Sequence, residues 1–162
     1  AVESYVRMFD IDAFIVRPFN NYGERQNHKG MMAGVIPLTA LRVLSGGVPE
    51  IHGDGKQSRD FINVHDTVDA VLKLYGVLES GETVNISTDN QVTINELVPA
   101  ICEHYGYTGT ILRKEGRKSD VLSHNASNEK VKAMIEYQLT PFEKGLAQTL
   151  DWYRAQLGGN GQ

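Results

Sequence analysis

Gly53-Asp54-Gly55-Lys56-Gln57-Ser58-Arg59-Asp60-Phe61-Ile62-Asn63-Val64-His65-Asp66 runs from a turn, through a short apolar stretch, to a residue able to cap a helix. The Asp-Gly step is a turn signal, and it joins two short segments that read as strands, Pro49 to His52 and Asp60 to Val64. Asp66 is placed to cap a helix from Thr67 to Leu78, because a short carboxylate accepts from the unpaired amides of a first turn. A strand that hands the chain to a helix is the repeating unit of α/β architecture.

The same alternation extends in both directions. Downstream, Thr83 to Ile86 reads as a strand, and Thr93-Ile94-Asn95-Glu96 is a capping box that opens a helix reaching about Tyr105. A strand near Thr110 to Arg113 and a helix after Ser127 follow. Thr140-Pro141-Phe142-Glu143 is a second box with proline at the first helical position, and Phe142, Leu146, Leu150 and Tyr153 line one face of its helix. Upstream, Ala13 to Val16 is a buried strand ended by Arg17-Pro18, and a long polar loop runs from Asn20 to Gly30. Val35 to Leu44 has helical period and is closed by Gly46-Gly47. Ala1 to Phe9 already runs in helical period (Val2, Tyr5, Val6, Phe9) with no initiating methionine and no N-cap, so the expectation is a chain that begins inside a helix, as a fragment does. The tail Gly158 to Gln162 is expected to be disordered. No solenoid repeat is visible.

Composition narrows the function classes. The 162 residues carry a net charge of -4, which provides no global attraction for nucleic acid or an anionic membrane; any anionic ligand must be held by arginines placed locally. Cys102, the single cysteine, lies in the apolar helical pattern Leu97, Ile101, His104, Tyr105 and reads as an inert buried thiol, which fits a cytoplasmic protein without disulfides. No apolar run approaches the roughly 20 residues of a membrane span, and no secretory signal opens the chain, so the two Asn-x-Ser sequons (Asn85, Asn125) are read as chance.

No complete catalytic constellation is present. The five histidines lack zinc-ligand spacing, and there is no Gly-x-Ser-x-Gly elbow, no Gly-x-x-x-x-Gly-Lys loop and no Gly-x-Gly-x-x-Gly fingerprint. Three segments instead combine arginine or asparagine with turn residues at strand ends: Arg17 to Gly23, Gly53 to Asp60 and Arg117 to Asp120. A diphosphate needs planar, permanently charged donors together with short amides on rigid backbone, and these segments contain both. On composition alone, the plainer reading is that Arg59 pairs with Asp60 or Asp54, and Arg117 with Asp120, on a solvated surface.

Arg17-Pro18-Phe19-Asn20-Asn21-Tyr22-Gly23, Val35-Ile36-Pro37, Gly53 to Phe61 and Val64-His65-Asp66, in this order and at these gaps, resemble the motif set of extended short-chain dehydrogenase/reductases. The similarity runs from Ala1 to about Leu157 and is strongest to nucleotide-sugar epimerases and dehydratases, UDP-glucose 4-epimerase-like proteins above all. The implied fold is α/β: the C-terminal part of a Rossmann-type enzyme, mostly its small α/β substrate-binding domain. Residues 1–34 would be a remnant of the NAD-binding domain, carrying the end of the catalytic helix, a strand and a substrate loop; residues 35–157 would be mainly the substrate-binding region.

The resemblance also implies roles. Asn20 would hydrogen-bond a diphosphate, Arg59 and Arg117 would pair with its charge, and Asp120 would sit near the ribose. Val35 and Ile36 would line the nucleotide pocket, with Glu50 to His52 beside the base; His52 stands where the family usually has an aromatic residue. Pro18 would touch the nicotinamide end of NAD. Arg17 and Asp66 are expected to tie strand and helix ends together rather than to meet ligand. Two arginines on a pyrophosphate contribute about 1.5 to 3 kcal/mol each. The family's catalytic Tyr-x-x-x-Lys pair and its glycine-rich NAD loop match nothing here, so the chain is expected to grip a nucleotide-sugar such as UDP-glucose or UDP-galactose without catalysing alone, as the nucleotide-sugar-binding portion of an NAD-dependent 4-epimerase whose parent protein is a homodimer. The alternatives are a dTDP- or GDP-sugar 4,6-dehydratase and a non-catalytic binding module. Glu24 and Lys118-Ser119 depart from the family's loop patterns.

Overall fold

A computed structural model describes residues 2–30, 33–116 and 122–157. The expected tail at 158–162 and the segment Arg117 to Asp120 lie outside them. In chain order the elements are α1 (Val2–Phe9), β1 (Ile15–Pro18), β2 (Asn20–Tyr22), α2 (Val35–Leu44), β3 (Glu50–His52), β4 (Ser58–Arg59), β5 (Phe61–Asn63), α3 (Val64–Tyr75), β6 (Thr83–Ile86), β7 (Val92–Thr93), α4 (Ile94–His104), β8 (Leu112–Lys114), β9 (Ser123–His124), α5 (Glu129–Met134) and α6 (Phe142–Leu157).

Short parallel pairings join distant segments. β1 pairs with β6, β2 with β5 and β3 with β8, all parallel. β4 lies between β7, antiparallel to it, and β9, parallel to it. Backbone bonds from Phe19 N to the Ile86 carbonyl (2.9 Å) and from Asn20 N to the Asp60 carbonyl (3.2 Å) carry the chain from the first pairing into the second.

Two apolar cores form on this framework. In one, Ile36 and Ala40 of α2, Leu97, Val98 and Ile101 of α4, and Leu146, Leu150 and Tyr153 of α6 close over Ile51, Phe61 and Tyr22. In the other, Ala70 and Leu74 of α3 and Val131 of α5 pack on Val84 and Ile86 of β6 and on Ile62. Each fully buried Leu or Ile contributes about 1.5 to 3 kcal/mol of transfer free energy. Cys102 is 5% exposed, and burial pushes its thiol pKa up. Among the described residues no helix is long and apolar enough to cross a membrane.

Local signals explain several boundaries. α2 ends in a Schellman motif: Gly46, at φ 71°, donates to the Val43 carbonyl and Gly47 to that of Arg42. The Thr93 box is complete, with Glu96 N donating to Thr93 Oγ1 (3.2 Å) and Thr93 N donating to Glu96 Oε2 (2.8 Å).

Several expectations need correction. The strand expected at Ala13 to Val16 and ended by Arg17-Pro18 runs from Ile15 through Pro18, and the loop expected from Asn20 opens with β2. The turn at Gly53 to Gly55 does not close a hairpin, because β3 pairs with β8 and β5 with β2. Asp66 does not cap α3; the helix begins at Val64, and Asn63 Oδ1 accepts from His65 N at 2.9 Å. Asp66 instead accepts from Thr140 N and Oγ1, both at 2.7 Å, tying α3 to the entry of α6 as its tying role required. That bond also takes the Thr140 amide that the second box assigned to Glu143.

The amphipathic α1 buries none of its residues, and Tyr5, Met8 and Phe9 are 58%, 72% and 57% exposed.

Candidate functional site

A cavity of about 420 Å³ opens between the β2–β5 pair, the face of α2 and the outer face of β3. β2 presents Asn20 and Asn21, α2 presents Val35, Ile36, Thr39 and Arg42, β3 presents Glu50 and His52, and β4 presents Arg59. Alternation along β3 is the local cause: Ile51 turns into the core, so Glu50 and His52 share the opposite face. The mixed lining, apolar on α2 and charged on the strands, suits a ligand with a planar apolar part and an anionic part.

Asn20 is held tightly. Its Nδ2 donates to the Asp60 carbonyl at 2.9 Å and lies 3.3 Å from Nδ1 of His124. Asp60 is fully buried; its Oδ1 accepts from Thr88 N (2.9 Å) and Thr88 Oγ1 (2.6 Å), and its Oδ2 from Asp89 N (3.1 Å). A buried carboxylate with this many donors makes a rigid corner. That corner carries Arg59, whose Nη1 donates to the Ser58 carbonyl at 2.8 Å. Asp54 Oδ1 accepts from Lys56 N at 2.9 Å.

On the opposite wall Glu50 gathers two cationic groups and an imidazole. Arg42 Nη1 lies 2.5 Å and His52 Nε2 3.3 Å from its Oε2, and Lys114 Nζ lies 3.7 Å from its Oε1. The bond to Arg42, more than the others, holds the Glu50 carboxyl below the usual carboxylate range. His52 is fixed through its carbonyl, which accepts from Gln57 Nε2 at 2.8 Å. Behind the cavity the Tyr22 phenol is pushed up to about 12 by burial, so it stays neutral.

Of the residues singled out from sequence, Asn20, Val35, Ile36, Glu50, His52 and Arg59 come together on this one cavity. Pro18 does not line it; the residue stands exposed at the end of β1. Arg117 and Asp120 lie outside the described residues. Arg42, Gln57 and Gln26 were missed. Arg42 reads as one more exposed residue of an amphipathic helix, and only the return of the chain through Gly46-Gly47 sets it against Glu50. Among the described residues no group of three or more His, Cys, Asp or Glu side chains could hold a metal ion.

Pro18 sits at the carboxyl end of a parallel strand, the end at which open α/β sheets receive their ligands.

The sequence model of the NAD dependent epimerase/dehydratase family matches residues 1–87. A putative UDP-glucose 4-epimerase of Methanocaldococcus jannaschii is 31% identical over 94% of this chain and 49% of its own length. The crystal structure of UDP-glucose 4-epimerase with UDP-glucose from Thermotoga maritima superposes with a TM-score of 0.90 at 31% identity, covering 96% of this chain and 50% of that one. The dTDP-glucose 4,6-dehydratase of Streptomyces venezuelae with NAD bound gives a TM-score of 0.87 at 26% identity over 98% of this chain and 48% of that one. The chain thus spans about half the length of the curated relatives it matches. These matches and the parallel α/β framework establish that the chain belongs to the NAD dependent epimerase/dehydratase family.

Proposed function

We propose that this chain is the nucleotide-sugar-binding portion of an NAD-dependent UDP-sugar 4-epimerase. The observation that carries the reading is the convergence of Asn20, Arg59, Val35, Ile36, Glu50 and His52 on one cavity with an anion-seeking edge and an apolar floor. The base lies against α2 and the Glu50–His52 wall. The diphosphate lies toward Asn20 and Arg59. Held by its nucleotide, the sugar is free to turn, which an epimerase needs so that opposite faces of C4 meet the same reacting group. Bound NAD supplies hydride-accepting and hydride-donating chemistry at that carbon, and Pro18 meets its nicotinamide end.

In the longer protein residues 1–34 belong to the cofactor half and residues 35–157 mainly to the substrate half. That protein works as a cytoplasmic homodimer, and the exposed apolar side of α1 is part of what it covers. The match to a dTDP-sugar dehydratase favours a second reading, a 4,6-dehydratase binding a thymidine nucleotide through the same cavity.

Calorimetric titration separates these. UDP-glucose binds, dTDP-glucose binds more weakly, and Arg59→Ala loses roughly ten- to a hundredfold in affinity, the value of one charge-assisted bond. A preference for dTDP-glucose supports the second reading. No binding of either at millimolar concentration refutes both.

A further inference from the structure

α4 and α6 share a core through Leu97, Ile101, Leu146 and Leu150, yet a trough of about 590 Å³ opens between them, with β7 along one side. Helical period places its walls: Glu96, Ala100 and Glu103 recur at i, i+4 and i+7 on α4, and Glu143, Ala147 and Leu150 do the same on α6. Ala100 and Ala147, in the middle of the two rows, lack the side chains that would fill the gap. The floor is apolar, with Val92 and Phe142 half-buried and Leu146 and Leu150 buried. The cavity that holds Asn20 and Arg59 shares no lining residue with it.

The fixed charges on the trough have one sign. Glu96, Glu103 and Glu143 line it, and among the described residues no lysine or arginine does. Glu96 is engaged in the Thr93 box. The exposed carboxylates of Glu103 and Glu143 make no hydrogen bond or ion pair among the described residues. His104, at the end of α4, does not offset them, because Asp151 Oδ1 lies 2.9 Å from its Nε2. An apolar trough between two helices with an acidic rim complements an amphipathic helix that has an apolar stripe and basic flanks. From Glu96 to His104 the wall is about 12 Å long, room for roughly two turns. The described residues of this chain supply no such helix: α1 sets Glu3 against its single cation, Arg7, and α5, with Lys130 and Lys132, commits Val131 to the core.

We propose that the α4–α6 trough is a docking surface for a basic amphipathic helix of another protein, which lays its apolar stripe between Ala100 and Ala147 and sets lysine or arginine against Glu103 and Glu143. The probe is a fluorescent synthetic helix of roughly 14 residues, built of alanine, leucine and lysine, with leucine at i, i+3, i+4 and i+7 and lysine on both flanks. Fluorescence anisotropy reads saturable one-to-one binding. Glu103→Gln with Glu143→Gln weakens it about tenfold, the value of two exposed ion pairs. The matched pair Glu3→Gln with Asp12→Asn, which removes the same charge away from the trough, leaves it within about twofold. Ala100→Trp fills the trough from an exposed position and abolishes binding without changing any charge. Should that variant not fold, amide NMR of the unaltered chain replaces it: the probe shifts signals along Glu96 to His104 and Glu143 to Leu150. A probe with glutamate in place of lysine does not bind. Absence of saturation at millimolar probe, equal losses from the two charge pairs, unchanged binding by Ala100→Trp, equal binding of the glutamate probe, or shifts confined to other elements overturns the proposal. None of these outcomes bears on the nucleotide-sugar reading, which rests on a separate cavity.

Discussion

Gly145→Ala pits two effects of opposite sign against each other on one methyl group. Inside an exposed helix the change stabilises by about 1 kcal/mol, because alanine loses less backbone entropy than glycine. Gly145, however, is buried in α6 where that helix crosses the β2–β5 pair. A Cβ there meets the Tyr22 hydroxyl within hard contact, Asn63 Nδ2 at 2.9 Å and Tyr22 Cζ at 3.2 Å. Tyr22 cannot swing aside: it is 2% exposed and wedged edge-on between Phe61 (6.3 Å) and Phe142 (5.4 Å). Overpacking of a full core costs about 1 to 3 kcal/mol, and disturbing the Tyr22–Asn63 hydrogen bond costs about 1 more. The net expectation is a loss of about 1 to 3 kcal/mol. Urea unfolding checks it, with a lower midpoint at unchanged slope. Tyr22→Phe in the Gly145→Ala background removes the clashing oxygen and returns part of the loss. A raised midpoint for Gly145→Ala, or no recovery in the double variant, refutes the packing argument.

Thr93→Ala removes half of the capping box at the start of α4 and lowers stability by about 1 kcal/mol, read from the same unfolding curves. The Glu96 carboxyl is held below its ordinary value of 4.5, chiefly by the Thr93 side chain, so this contribution is full above that value and fades as the pH falls through the lowered one. Thermal melts between about pH 6 and 2 accordingly lose less in Thr93→Ala than in the unaltered chain. The exposed Tyr5, Met8 and Phe9 make the chain self-associate, an effect that Phe9→Ser weakens. Sedimentation showing a clean monomer at high concentration contradicts it.

Elements whose cause is local were legible in the sequence. α2, with its Gly46-Gly47 stop, and β6 appear at their expected bounds, and the Thr93 box forms as the Thr-x-x-Glu spacing requires. Partner choice was not legible. Asp-Gly at 54–55 reads as a turn joining two strands, but the dipeptide says nothing about which strand lies beside β3, and that strand, β8, arrives much later in the chain. Asp66 read as a cap for a related reason: its true donor, Thr140, is 74 residues away, while Asn63 supplies the cap from a position that looked like strand. The cavity followed the same rule. Residues inside recognisable motifs, Asn20 and Arg59, were found, whereas Arg42 needed the geometry of two elements at once.

Among the described residues, no strand pairs with its neighbour in sequence; the closest pairing along the chain is Arg59 with Val92. The described residues therefore hold no hairpin from which folding could start. Every ladder must wait for a long loop to close, and loop-closure entropy is spent before the sheet rewards it. Helices with strong local ends, α4 above all, are then the earliest structure available, and the wall that carries Glu50 and His52 is among the last to form, since β3 has no ladder until β8 arrives. Refolding is correspondingly slow, and the capacity to hold a ligand appears late, together with the final long-range pairings.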